Sequence, residues 1–157
     1  MKDMSRDSSA VVEKLLAEFA RTNGPLTPPV PVEEIARWLG YQVILLQTVD
    51  DECSAIVSTR DRLIGVNARH HHRRQRFSIG HELGHILLEH PPERKCTLRE
   101  IALFNREADA CASAILMPGF LLLPAIRKRS STNRLARLFD VSEEAMKRRL
   151  ATVREFP

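Results

Sequence analysis

The sequence predicts an α+β fold: a small three-stranded antiparallel sheet packed on a helix carrying His81-Glu82-x-x-His85, a long second helix, and a C-terminal hairpin of helix-turn-helix form. Three observations predict it. Residues 41–66 divide into short apolar runs separated by turn residues, which is strand patterning. From Arg76 to Glu89 the apolar positions change to helical spacing. Thr97-Leu98-Arg99-Glu100 has the form of a capping box and opens a run to Leu116 that Met117-Pro118-Gly119 closes. A chain of 157 residues is long enough to bury a real core in one compact unit. We read residues 1–129 as the main domain and 130–157 as a helical segment packed on it.

In chain order, Ser8 or Ser9 can cap a first helix to about Arg21, with Val12, Leu15, Leu16 and Phe19 on one stripe. Thr22 to Pro29 is a loop by its turn residues, and Pro31 is placed to start a short helix, Val32 to Leu39, closed by Gly40. Its Ile35, Trp38 and Leu39 are expected in the core. Strands are expected at Tyr41–Leu46, Cys53–Ser58 and Leu63–Val66, the last two joined by a tight turn at Thr59-Arg60-Asp61. One edge of such a sheet can receive an extended peptide as an added strand.

His70-His71-His72, among Arg69, Arg73, Arg74 and Arg76, reads as a polar loop or helix start, because consecutive side chains cannot all face one ion. One of these groups could donate to an oxyanion. In the helix that follows, steps of about 100° put His81, Glu82 and His85 on one face and Ile79, Leu83, Ile86 and Leu87 on the other. Imidazoles four residues apart can both reach one zinc ion, while the adjacent carboxylate is displaced enough to hold a water. Such an arrangement makes a nucleophile of water at neutral pH. Gly84 costs about 1 kcal/mol relative to Ala in a helix interior, which suggests another backbone passing close. His90, before Pro91-Pro92, is expected at a surface terminus.

On the long helix Glu107 shares its face with Leu103, Ala110, Cys111 and Ala114, so it is expected to point inward. A buried lone carboxylate needs a charge partner or a metal. Zinc held by His81 and His85 would be such a partner, which makes Glu107 the candidate third ligand and a better one than Glu89. This donor set also suits manganese or iron. Beyond Pro118, Phe120–Lys128 is expected to be a short helix with Leu121, Leu122 and Ile126 buried. Ser131 to Leu150 reads as helix, turn, helix, with Asp140 in the turn and Ser142 capping the second helix. The spacing of Leu135, Ala136, Val141, Ala145 and Leu150 fits a DNA-binding motif and equally any packed helical hairpin.

The three cysteines are far apart and form no Cys-x-x-Cys pair, which suits a reducing compartment. The N-terminus has no apolar stretch that would serve as a signal peptide, so a cytoplasmic protein is expected. The net charge of +4 is uneven: 6 basic against 9 acidic side chains in residues 1–60, 5 against 3 in 61–90, and 13 against 8 in 91–157. Arg134, Arg137, Lys147 and Arg148 on the basic hairpin are the candidates for nucleic-acid contact.

The segments Arg62–Asn67, Arg76–His85 and Arg106–Ala112, with Leu116-Met117-Pro118, resemble the ImmA/IrrE family of bacterial metallopeptidases, and the resemblance extends over roughly residues 30 to 152. It implies His81, His85 and Glu107 as ligands of one catalytic zinc ion and Glu82 as general base. Where that family often has an aromatic residue four positions after the ligand glutamate, this chain has Cys111. The resemblance also implies a zinc-dependent endopeptidase whose substrate is a helix-turn-helix repressor of the Xre or phage type, cut to relieve repression. It favours a packed hairpin over a DNA-binding one at the C-terminus. Some members carry a further sensor domain; none is recognisable before Pro157, so regulation is expected from elsewhere. The alternative is a non-hydrolytic anti-repressor, or a DNA-binding module using the basic hairpin.

Overall fold

The computed structural model describes residues 4–47 and 50–154. Helix α1 (Met4–Asn23) begins upstream of the expected serine cap and buries Val12, Leu15, Leu16 and Phe19. Helix α2 (Val32–Trp38) buries Val32, Ile35 and Ala36. Trp38 is not core: it stays 36% exposed at the rim, with its ring edge-on to Phe19 at 5.6 Å.

The sheet is mixed and not antiparallel as expected, with the order β1-β3-β2 (Gln42–Leu46, Leu63–Asn67, Ala55–Ser58). β1 runs parallel to β3, from Gln42 opposite Leu63 to Leu46 opposite Asn67, while β2 and β3 form the expected antiparallel hairpin. The reason lies in the third run. Ile64, Gly65, Val66 and Asn67 are all buried, so this strand is covered on both faces and takes the centre. Gly65 leaves room for Leu46, whose Cδ1 would stand 2.7 Å from a Cβ there. The β1–β2 link is a crossover, tied down by the fully buried Asn67, whose Nδ2 donates to the carbonyls of Asp50 at 3.1 Å and Cys53 at 2.9 Å.

Gln75 Nε2 donates to the Asn67 carbonyl at 2.9 Å, joining the sheet to α3 (His72–Leu87). His71 caps this helix, accepting from Arg73 N–H. A 3₁₀ turn (Glu93–Lys95) leads to α4 (Leu98–Leu116), where the expected capping box is present with both of its hydrogen bonds. Helices α3 and α4 cross closely at glycine. A Cβ on Gly84 would lie 2.9 Å from the Ala108 Cα and carbonyl oxygen, and one on Gly80 would lie 3.1 Å from Ala112 Cα.

Helices α5 (Gly119–Arg127), α6 (Thr132–Phe139) and α7 (Glu143–Arg154) complete the chain. Among the described residues no single helix is long and apolar enough to cross a membrane; only α4 and α5 together pass that test, and they are bent by 58°. Leu135, Phe139, Val141, Met146 and Leu150 join the same core cluster as Ile79 and Leu83. Asp140 turns the hairpin in the left-handed region (φ 52°), and Ser142 Oγ accepts from Ala145 N–H. The Asp140 carboxylate meets His72 Nε2 at 2.8 Å, Arg73 Nε at 3.2 Å and Arg76 Nε at 3.6 Å. Arg76 also donates to the carbonyl of Val30 at 2.9 Å, and Arg149 to that of Met117 at 2.9 Å. The turn of the hairpin is thereby pinned to the first turn of α3.

Two outcomes are expected. Gly84→Ala destabilises the protein by about 1–2 kcal/mol net, because its steric cost exceeds the gain in helix propensity; Gly119→Ala, which meets nothing within 4 Å, changes stability little. Urea denaturation of the two variants checks this. Burial works against the Asp140 carboxylate, but the hydrogen bonds and charges of His72, Arg73 and Arg76 outweigh it and hold its pKa below the ordinary value. Its contribution is therefore complete above the unfolded carboxylate pKa of about 4 and is lost as pH falls through the lower folded value. Asp140→Asn is accordingly destabilising at pH 7, with a gap to wild type that narrows below about pH 4 in denaturation curves.

Candidate metal centre

His81 and His85 lie on the same flank of α3, and their Nε2 atoms are 3.0 Å apart. Each ring is fixed from behind. His81 Nδ1 stands 2.7 Å from Asp109 Oδ1, and His85 Nδ1 stands 2.9 Å from His90 Nδ1. His90 Nε2 is in turn 2.6 Å from Glu107 Oε2, and the His90 ring stacks on Phe104 at 4.4 Å. The protons of this chain follow from its end. With the Glu107 oxygen accepting the Nε2–H of His90, His90 Nδ1 is left to accept from His85 Nδ1–H, an arrangement in which the lone pair of His85 Nε2 faces His81. Asp109 likewise takes the Nδ1–H of His81.

Two imidazole nitrogens 3.0 Å apart need a cation between them or a proton on one. The electrostatics of the free protein split the pair in that sense. Burial disfavours the His81 imidazolium, but Asp109, Glu82 and Asn105 outweigh it and raise the pKa. For His85, burial and then the charges of His81 and His90 push the pKa down to about 4. Glu82 is 8% exposed, and burial raises its carboxyl against the pull of His81.

The pair fits a zinc ion: at about 2.0–2.1 Å per Zn–N bond, tetrahedral ligand atoms lie a little over 3 Å apart, and both nitrogens have their other ring atom occupied. The third expected donor is elsewhere. Glu107 points inward and is 11% exposed at its side chain, but its Oε2 is held by His90, while Oε1 is buried without a partner. Among the described residues no three His, Cys, Asp or Glu side chains converge as a metal site. The oxygen beside the imidazole pair is Asn105 Oδ1, 3.2 Å from His85 Nε2.

His90 is a correction: its side chain is 5% exposed and lies inside the cluster, not at the surface. Asn105, Asp109 and His90 were the residues that sequence reasoning missed. The available signal was the four-residue spacing of Asn105 and Asp109, which puts both polar groups on one face of α4. Of the histidine triplet, His70 meets the Asp51 carbonyl, His71 caps α3 and His72 meets Asp140, so none stands over the site. Arg134, Arg137, Lys147 and Arg148 are exposed, and Arg148 pairs with Glu144.

The imidazole pair opens into a cleft of about 1090 Å³. One wall is residues 52–60, which include the edge strand β2 with Ile56 exposed; the other is formed by residues 90–94 and by Phe104, Asn105 and Asp109 of α4.

A family model described as the IrrE N-terminal-like domain, a peptidase family, matches residues 40–151. Among solved structures, a Mycobacterium tuberculosis transcriptional regulator matches with a TM-score of 0.72 at 18% identity, over 93% of this chain and 46% of that one. The likeness is one of fold, and the chain spans about half the length of that neighbour. No curated protein matches the sequence.

The buried His90–Glu107 pair is expected to contribute to stability as well as to the site. His90→Ala leaves the Glu107 carboxylate without a donor and lowers stability by about 2–3 kcal/mol, whereas Glu107→Gln, which keeps a hydrogen-bonding partner for His90, costs less. Thermal denaturation of both variants in the presence of a chelator checks the order.

Proposed function

The chain belongs to the IrrE N-terminal-like peptidase family, and on that membership we propose that it is a zinc-dependent endopeptidase acting on a protein substrate. The observation that carries the reading is the convergence of His81 and His85 Nε2 to 3.0 Å beside the buried Glu82, at the base of a cleft walled by a sheet edge. His81 and His85 would hold the ion. When bound, zinc supplies Lewis acidity toward the scissile carbonyl and makes nearby water more acidic.

The remaining steps belong to the chain. Glu82, next to His81 and largely out of solvent, takes the proton of the attacking water and passes it to the leaving amine. Asp109 and the Glu107–His90 pair keep the two imidazoles in the tautomer that presents Nε2. β2 is bonded on one side only, to β3, so its outer edge can pair with an extended substrate strand in the cleft. Exposed Ile56 lies in that wall, where it would meet apolar substrate side chains.

The substrate we propose is a helix-turn-helix repressor of the Xre or phage type, cleaved in the cytoplasm to relieve repression. Support comes from the family, and a fold neighbour is itself titled a transcriptional regulator. The C-terminal hairpin serves the domain as a buttress: its apolar face joins the core, and Arg76 and Arg149 fasten it through backbone carbonyls.

The test is incubation of purified, zinc-loaded protein with a helix-turn-helix repressor encoded beside its gene, followed by intact-mass analysis. Wild type is expected to produce two fragments, and Glu82→Gln to lose about 10²–10⁴-fold in rate while its fold and zinc content stay unchanged. Relief of repression by the Glu82→Gln variant, with the repressor at full length, would instead establish a non-hydrolytic anti-repressor.

A further inference from the structure

We propose that the third protein donor to the metal is the side-chain oxygen of Asn105, with Glu107 acting one layer behind as the anchor of His90. This assignment rests on the metallopeptidase reading. It is carried by the way α4 is turned against α3. Asn105 and Asp109, four residues apart, share one flank of α4, and both meet the imidazole pair: Asp109 at His81 Nδ1 (2.7 Å) and Asn105 at His85 Nε2 (3.2 Å). At about 100° per residue, Glu107 is some 200° around the helix from Asn105. It therefore emerges on the opposite flank, with Phe104, where His90 meets both of them.

The two flanks correspond to the two nitrogens of His85. Its Nε2 faces the Asn105 flank together with His81 Nε2, and its Nδ1 faces the His90 and Glu107 flank. A donor that shares an ion with both Nε2 atoms must come from the Nε2 side, and there Asn105 is the residue of α4 whose oxygen stands at an Nε2 atom, Asp109 on the same flank being engaged at His81 Nδ1. Glu107 has one oxygen taken by His90 at 2.6 Å, on the Nδ1 side of His85, and its other oxygen is buried and hydrogen-bonded to neither Nε2 atom. The amide oxygen of asparagine is an acceptor with two lone pairs, and its NH₂ group can turn to a carbonyl or a water.

Cysteine substitution with cobalt as the probe reads directly which position touches the ion. A thiolate bound to Co²⁺ gives a near-ultraviolet charge-transfer band that nitrogen and oxygen ligands lack. Full-length protein is stripped of metal and titrated with CoCl₂, and the spectrum of wild type is subtracted, which removes any contribution from Cys53 and Cys96 at the cleft. The band is expected in Asn105→Cys and absent from Glu107→Cys. Glu107→Gln guards against misfolding of the second variant: it is expected to keep the wild-type cobalt spectrum and to weaken zinc binding by no more than the roughly 10–100-fold typical of an outer partner.

A band in Glu107→Cys, or loss of cobalt binding in Glu107→Gln, overturns the assignment and leaves the peptidase reading intact. Absence of the band in Asn105→Cys, with cobalt bound by wild type, also overturns it. Failure of wild type to bind cobalt or zinc overturns both.

Discussion

The centre depends on one steric constraint, the passage of α3 over α4 at glycine. Each helical glycine costs about 1 kcal/mol relative to Ala, so the chain spends stability to bring the two backbones together. What it gains is a fixed separation. With Gly80 over Ala112 and Gly84 over Ala108 and Cys111, the histidines on the flank of α3 stand at hydrogen-bonding distance from Asn105 and Asp109. A side chain at position 84 would push against the Ala108 backbone and open those distances. The same constraint accounts for Cys111. Its Cβ would lie 2.9 Å from one added at Gly84, so only a small side chain suits this crossing. Burial, with the Glu107 charge, pushes the thiol up to about 11, so Cys111 is a protonated packing group.

Around that crossing the charges are arranged in layers. The Nε2 atoms of His81 and His85 face each other and the neutral Asn105, while the carboxylates stand behind the rings, Asp109 at His81 Nδ1 and Glu107 beyond His90. A carboxylate behind a histidine fixes the tautomer and raises the basicity of the other nitrogen. The layering also settles the position of His90. It follows the end of α3 and precedes two prolines, a setting that reads as surface, yet the inward carboxylate of Glu107 and the face of Phe104 draw it to near-complete burial. A buried carboxylate does need a partner; here a histidine fills that need.

Local rules made much of this legible. The capping box of α4 and the left-handed turn at Asp140 depend on residues within four positions of one another, and they stand where the sequence put them. What failed depends on rotation or partner choice across the fold. The parallel pairing of β1 with β3 follows from β3 being apolar on both faces and from the Asn67 side chain holding a distant loop, and neither is a turn signal. Trp38 looked like core because of its size, but it sits at the end of a seven-residue helix and packs by one edge. Glu107 was preferred to Glu89 as the third donor, and Asn105 was not weighed. The wheel alone cannot decide between opposite flanks of α4; the rotation that decides it is set by which small residues lie beneath Gly80 and Gly84.

An amide in place of a carboxylate beside the two imidazoles would change what the site can do. Two imidazoles and an amide oxygen carry no charge, so an ion held by them would keep its full positive charge, and affinity falls as anionic ligands are lost. The uncompensated charge is also what polarises a carbonyl or acidifies water, so weaker holding and stronger activation come from the same substitution. The outer carboxylates moderate both effects at a distance. Asp109 and Glu107 return negative charge through His81 and His85, and Glu82 adds a third carboxylate beside the pair. Three carboxylates around a neutral inner layer can balance a divalent cation without any of them binding it, which leaves Glu82 free for the proton.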